Sequence, residues 1–218
     1  MPSPIRATVL ISGNGSNLQA VIDNVAEGKL DTTSSVYCRI ARTPLALSVP
    51  EKPIFLHYTI TLSSIKSSTL RHQRVFKLLG EEYDAELARL ILADSPELVV
   101  CLGFMHILSP QFLEPLEKAH VRIINLHPAL PGQFNGVNAI ERAHAAWIEG
   151  RIDKTGVMIH DVISEVDMGK PILVKEIPFQ KGRDEDLEAF ETWVHETEWG
   201  TVIEGVGMVL KELQAQKQ

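Results

Sequence analysis

Two cysteines are too few to staple a chain of 218 residues, and neither lies in a CxxC or Cys/His cluster. Cys38 and Cys101 fall in apolar, strand-like runs, which reads as two buried free thiols rather than a disulfide. Long hydrophobic runs are also missing. The stretch at residues 7–11 (ATVLI) is too short for the core of a signal peptide. Residues 98–108 are interrupted by Gly103 and His106, well short of the ~20 apolar residues that span a bilayer. The expectation is a cytoplasmic chain with no membrane partner. Positive charge is in deficit, with 21 Lys+Arg against 28 Asp+Glu and a net charge of −7. A field of that sign repels nucleic acid, so any anionic ligand must be captured locally. The 8 histidines form no HxxxH or HExxH, so no metal is expected, and no Gly-x-Ser-x-Gly elbow is present.

What remains is ordinary globular material, 44% hydrophobic and 22% charged. No repeat or linker divides it, so one domain over 1–218 is expected. Strand and helix patterns alternate. The apolar run at 7–11 leads into SGNGSN, followed by a helical spacing of Leu18, Val21, Ile22 and Val25 that stops at Gly28. Residues 35–40 and 54–57 read as strands, and 69–93 as the strongest helix. Residues 98–102 and 121–126 are apolar on both faces, as central parallel strands should be. Ser109 and Pro110 open a short helix, and 139–149 read as another. Residues 156–162 and 171–176 form a hairpin pattern, and 184–213 are mostly helical, with Trp147, Trp193 and Trp199 read as helix residues that pack inward. The fold class predicted is α/β: a doubly wound, mostly parallel sheet with a late antiparallel excursion. Ligands of such sheets sit beyond the carboxyl ends of the strands, where the loops after Ile11, Leu102 and Leu126 converge.

Three loops carry candidate chemistry. Gly13 and Gly15 stand between a strand and a helix start, where backbone N–H groups and the helix dipole can hold an anion. Leu18 replaces the third glycine of GxGxxG, and the Walker lysine is missing, so one phosphate fits better than a dinucleotide or triphosphate. A plain turn that uses glycine for positive φ is the other reading. Asn125 and His127 stand two apart on a strand and so share a face. An amide donor beside an imidazole suits acyl-type transfer, in which one stabilises an oxyanion and the other moves protons. A capping asparagine and a satisfied core histidine would leave the same trace. Asp167, in SEVDMGK, could face His127 or could be a surface turn acid.

Taken together, four segments resemble the phosphoribosylglycinamide (GAR) formyltransferase family: ISGNGSNL at 11–18, GFMHIL at 103–108, NLHPALP at 125–131 and EVDMGKP at 165–171. The likeness runs over nearly the whole chain, and ALPGQF and AIERAH look most like the stand-alone fungal enzymes. The resemblance implies a Rossmann-like formyltransferase fold and the co-substrate 10-formyltetrahydrofolate, whose formyl group passes to the amine of 5-phosphoribosyl-glycinamide with no metal. By the same resemblance, Gly15, Ser16 and Asn17 bind the acceptor phosphate, and Gly103 and Met105 line the junction of acceptor and folate. His106, Ile107 and Leu108 follow the pterin–benzoate path. Glu198 contacts the ribose hydroxyls, with His195 as a polar neighbour. Asn125, which also borders the folate, holds the oxyanion, and His127 with Asp167 relays protons; the carboxylate is expected to raise the His127 pKa.

The sequence departs from that pattern in three places. Many relatives carry arginine at the position of His106. A helix arginine facing the glutamate tail aligns with Gly80, with Lys77 one turn earlier as a substitute. The crossover between residues 40 and 54 holds Pro44, Pro50 and Pro53 and leaves little room for a helix. Two other enzyme activities share the Asn-x-His-Pro and Asp segments: formyltetrahydrofolate hydrolysis and formylation of initiator methionyl-tRNA. Those enzymes usually carry an additional domain, and the tRNA reading also lacks a basic surface here. A non-catalytic phosphate-binding module is the alternative from another class, opposed by the intact Asn125, His127 and Asp167.

Overall fold

The computed structural model of the chain describes residues 5–12, 15–30, 32–38, 59–61 and 81–217. The elements run β1 (Ile5–Ile11), α1 (Ser16–Ala26), β2 (Thr32–Cys38), β3 (Thr59–Thr61), α2 (Glu81–Ala93), β4 (Leu98–Leu102), α3 (Pro110–Lys118), β5 (Arg122–His127), α4 (Ala139–Ile148), β6 (Lys154–Asp161), β7 (Pro171–Pro178) and α5 (Leu187–Ala215). Gly13, Lys77, Gly80, the crossover at 40–54, the strand expected at 54–57 and the helix expected at 69–80 lie outside the described residues.

The strands form one sheet in the order β3-β2-β1-β4-β5-β6-β7. β2, β1, β4 and β5 run parallel, and β6 and β7 add the late antiparallel hairpin. β3 also pairs antiparallel, against β2. Its three residues are too short to show a period, so this early reversal leaves no signal in the sequence.

β1 and β4 are covered on both faces, which is why their sequences are almost continuously apolar. On one face Val9, Val100, Ile124 and Ile159 meet Leu18 of α1 and Phe190 and Val202 of α5. On the other, Leu10, Val99 and Ile123 meet Leu87 and Ile91 of α2 and Phe112 and Leu116 of α3. Cys101 lies in this second layer as a buried free thiol, and burial pushes its pKa up to about 12, so it is chemically quiet. Trp147 stacks flat on Phe179, with centroids 4.8 Å apart. Trp193 and Trp199 do not fill the core as expected; they are 40% and 39% exposed. Arg183 lies 4.6 Å over the Trp193 ring. The long helix α5 has apolar residues around much of its circumference, so spacing alone does not say which aromatic turns inward.

β1 lies between β2 and β4, so the chain order reverses at its edge and the loops after β1 and β4 part. They remain tied at their bases: the Ser12 N–H donates to the Gly103 carbonyl at 3.2 Å, and the Met105 N–H donates to Ser12 Oγ at 2.9 Å. No helix among the described residues is long and apolar enough to cross a membrane.

Candidate active site

β5 carries Asn125 and His127 to the carboxyl edge of the sheet. Asn125 is in register with Cys101 on β4 and with His160 on β6. Asp167 enters from the β6–β7 loop with φ of +57°, a left-handed conformation that aspartate tolerates better than most residues. Its side chain is only 8% exposed, so it is not a surface turn acid. One carboxylate oxygen accepts from Asn125 Nδ2 at 3.3 Å and lies 3.4 Å from His160 Nε2. The other accepts from the Gly136 N–H at 2.8 Å and lies 3.4 Å from His127 Nδ1. Asn125, His127 and Asp167 therefore meet: strand spacing put the first two on one face, and only the family resemblance put Asp167 with them.

His160 completes the group, and sequence reasoning missed it. Its Nδ1 faces the Asp161 carbonyl at 2.9 Å. A carbonyl only accepts, so Nδ1 carries the hydrogen, and in the neutral ring Nε2 accepts from Asn125 Nδ2 at 3.2 Å. The one available clue was a histidine inside the apolar run of β6, where a buried imidazole needs partners.

The protonation of His127 runs against expectation. Burial is the dominant influence and pulls its pKa below the ordinary imidazole value, while the Asp167 charge pushes the other way and loses. The side chain is 5% exposed, too dry for the carboxylate to prevail. The neighbouring His160 also disfavours imidazolium, while backbone groups of Gln133 and Phe134 favour it more weakly. Asp167 is held below the usual carboxylate range: burial raises it, and the two imidazoles of His160 and His127, with the hydrogen bond from Gly136, more than offset that. An ionised Asp167 beside Nδ1 fixes the hydrogen there and leaves the lone pair on Nε2. That Nε2 is buried and has no hydrogen-bond partner among the described residues.

Gly169 lets the Asp167 loop close. A Cβ there would collide with the Asp161 carbonyl and come within 3.3 Å of His160 Nδ1. The adjacent Asp161 N–H donates to the Lys170 carbonyl at 3.0 Å, so backbone crosses backbone with no room to yield. Gly169→Ala is expected to cost about 1–3 kcal/mol, as overpacking in a tight interior does. Thermal unfolding checks this, and an unchanged Tm would contradict the close approach.

A second cluster lies at the start of α1. Gly15 has φ of +79° and precedes Ser16, the first helical residue. The first turn of α1 itself holds no acidic residue, so its own sequence leaves the positive end of the helix dipole in place. Asn17 Nδ2 donates to Glu198 Oε2 at 3.3 Å, and His195 Nδ1 lies 2.7 Å from the same oxygen. The hydrogen bond to Glu198 raises the His195 pKa above its ordinary value, with smaller contributions from the Glu198 and Glu191 charges and a counteracting one from burial. Gly15, Asn17, His195 and Glu198, far apart in sequence, are thus brought together by α1 against α5.

The third contribution follows β4. Gly103 turns the chain with φ of +63°. Met105 and Ile107, two residues apart, are 71% and 70% exposed, apolar side chains left to solvent in one loop. Leu108 differs from the expectation for it, because its side chain is buried among Tyr83, Phe112 and their neighbours. Any contribution to a ligand would have to come from its backbone. His106 points toward α2, where its Nε2 lies 2.6 Å from the buried Asp84. Among the described residues no cluster of side chains could hold a metal ion.

A family model described as formyl transferase matches residues 5–206. A phosphoribosylglycinamide formyltransferase of Schizosaccharomyces pombe is 40% identical over 94% of this chain and 96% of its own length. The crystal structure of the Bacillus halodurans phosphoribosylglycinamide formyltransferase superposes with a TM-score of 0.71 over 94% of this chain and 95% of that one, at 23% identity. A formyltetrahydrofolate deformylase from Pseudomonas syringae superposes equally well, at 0.71 over 96% of this chain and 62% of that one, with 20% identity. Fold likeness alone therefore does not separate transfer from deformylation, whereas the sequence identity lies with the transferases. The chain belongs to the formyl transferase family, beside its phosphoribosylglycinamide formyltransferases.

Proposed function

We propose that this chain, as a single domain over 1–218, moves the formyl group of 10-formyltetrahydrofolate to the amine of 5-phosphoribosyl-glycinamide. It would do so in the cytoplasm, as a step of de novo purine biosynthesis. The observation that carries the reading is the meeting of Asn125, His127 and Asp167 at the carboxyl edge of a sheet whose loops after β1 and β4 also offer a helix N-terminus suited to one phosphate and an exposed apolar pair suited to a flat donor. His127 Nε2, unprotonated and without a partner, is placed to take the proton that the attacking amine sheds. Asp167 holds that tautomer, and Asn125 offers an N–H to the formyl oxygen as negative charge develops on it. Gly15, Ser16 and Asn17 take the phosphate on backbone N–H groups at the start of α1, while Glu198 and His195 take the ribose. Met105 and Ile107 supply apolar surface to the folate, with His106 and the Leu108 backbone completing that side. Both substrates are small molecules, and the residues present fit them without a metal.

The deciding experiment incubates purified protein with donor and acceptor and follows formylated product beside released tetrahydrofolate. Equimolar appearance of the two, and no turnover of donor alone, is the expected result. Donor turnover without acceptor would overturn the reading in favour of deformylation. The phosphate assignment has its own check in Gly15→Val. Space is not the constraint, because a Cβ there would make only an ordinary 3.4 Å contact with Ile11. The constraint is φ of +79°, which a β-branched residue adopts at a cost of ~1–2 kcal/mol. The turn should reshape, raising acceptor KM about tenfold or more while tetrahydrofolate affinity stays the same. Equal reaction of the dephosphorylated acceptor in wild type would contradict the site.

A further inference from the structure

Asp84 is 1% exposed and has none of the roles so far described. It lies on α2, away from the reacting groups, and it uses both oxygens on one segment. Oδ1 lies 2.6 Å from His106 Nε2, and Oδ2 accepts from the Ser109 backbone N–H at 2.7 Å. Its pKa is lowered despite burial, because these hydrogen bonds outweigh the desolvation that would raise it. The ring of His106 is further wedged between the edges of Tyr83 and Phe104, with centroids 5.2 and 6.0 Å away. At the other end of the segment, Met105 N–H is held by Ser12 Oγ. Residues 105–109 are therefore pinned at both ends and in the middle, while the two side chains between the pins, Met105 and Ile107, project outward.

We propose that Asp84 is a positioning residue for the folate: through the His106 ring and the Ser109 amide it holds residues 105–108 in the one arrangement that presents Met105, Ile107 and the local backbone to the donor. This rests on the folate reading above. A carboxylate suits the task because it accepts two bonds at once and cannot donate. Opposite an ionised Asp84, His106 must place its hydrogen on Nε2, so the ring is fixed in tautomer and direction, and its Nδ1 is turned away from α2. Ser109 would ordinarily cap α3 with its side chain, yet makes no such bond. Its backbone N–H donates to Asp84, which joins the entry of α3 to α2.

A segment that is preorganised binds at its intrinsic affinity, and one that is competent only a tenth of the time binds tenfold more weakly. Asp84→Asn leaves one good acceptor where two were needed, so the dissociation constant for tetrahydrofolate should rise about tenfold. Asp84→Ala, which removes both, should raise it by on the order of 10²-fold. Acceptor KM at saturating donor should move less than twofold in either variant. His106→Ala should weaken tetrahydrofolate binding as well, and adding Asp84→Asn to it should cost much less than in the wild-type background, because the two share one contact. Binding is measured with tetrahydrofolate itself on protein shown by circular dichroism to be folded. If Asp84→Ala does not fold, Asp84→Asn carries the test. Tetrahydrofolate affinity within twofold of wild type in folded Asp84→Asn would overturn the proposal, as would equal changes in donor and acceptor constants, which signal general loosening. Failure of the wild-type protein to bind tetrahydrofolate would instead overturn the folate reading. The anchor itself is then judged by hydrogen exchange, where Asp84→Asn should speed the Ser109 amide about tenfold, and unchanged exchange would sink it.

Discussion

Asp167→Asn is expected to lower kcat at neutral pH by on the order of 10²–10⁴-fold, the range that loss of general acid–base catalysis spans. The substitution keeps the shape and removes the charge. An asparagine that keeps accepting from Gly136 turns the same oxygen to His127 Nδ1 and its NH₂ group toward Asn125 Nδ2 and His160 Nε2, so the Asn125 bond is lost and so is the negative charge that steadies the His127 ring as it takes up a proton. The pH dependence has a definite sign. His127 already titrates below its ordinary value near ~6.5 because it is buried, and the Asp167 charge is the largest influence opposing that. Activity of the wild-type protein should therefore fall as pH drops through a value below ~6.5, where the ring becomes protonated and ceases to be a base. In Asp167→Asn the supporting charge is gone, so this acid limb should move to still lower pH while the plateau falls.

Stability follows the same direction. Between the depressed His127 pKa and ~6.5 the unfolded chain binds more protons than the folded one, so stability declines as pH falls across that window. Asp167, also depressed, contributes stability that is present above its unfolded value near ~3.9 and is lost as pH falls through its folded value. Asp167→Asn and His127→Ala should be far from additive in kcat, because each removes the same relay. The measurement is NMR titration of His127 in wild type and Asp167→Asn. Equal pKa values in the two would dismiss the pairing whatever the kinetics showed.

The parallel strands β1, β4 and β5 were legible because each is buried on both faces and announces itself as a short apolar run. The β6–β7 hairpin was legible from its two runs about an acidic, glycine-containing loop. β3 was not, because three residues carry no period. Within the site, Asn125 and His127 could be paired from sequence, since strand geometry puts i and i+2 on one face. Asp167 could be placed beside them only by resemblance, because a loop aspartate has no periodicity to say where it points. His160 and Asp84 were invisible for a related reason: their partners come from other elements through antiparallel register and helix–loop contact, neither of which local spacing encodes. The error over the His127 pKa has the same root. The sign depends on how dry the site is, and burial is a property of the assembled fold.

Asn125→Ala is expected to cut kcat by on the order of 10²–10³-fold, the usual effect of losing one oxyanion donor. The structure makes the argument less simple than a free amide would. Both Nδ2 hydrogens have partners, Asp167 Oδ1 at 3.3 Å and His160 Nε2 at 3.2 Å. Each distance lies at or beyond the long end of the normal hydrogen-bond range, so neither bond is strong. A formyl oxygen gaining negative charge is a better acceptor than a neutral imidazole, and it can draw one hydrogen away from His160 as the amine attacks. The interaction then grows along the reaction path, and a contact of that kind acts on kcat rather than on ground-state binding. Acceptor KM should change less than threefold; a loss confined to KM would show that Asn125 only positions substrate. The alanine variant also strips a donor from buried Asp167 and His160, at about 1–3 kcal/mol of stability, so misplacement of the relay is the competing explanation. Titration of His127 in Asn125→Ala separates the two, since a His127 pKa matching wild type shows the relay intact and leaves the lost donor as the cause. Asn125→Asp sharpens the test further. It is nearly isosteric but sets a second carboxylate against Asp167 and against the developing oxyanion, so its kcat should fall below that of the alanine variant; activity above alanine would rule out charge stabilisation at this position.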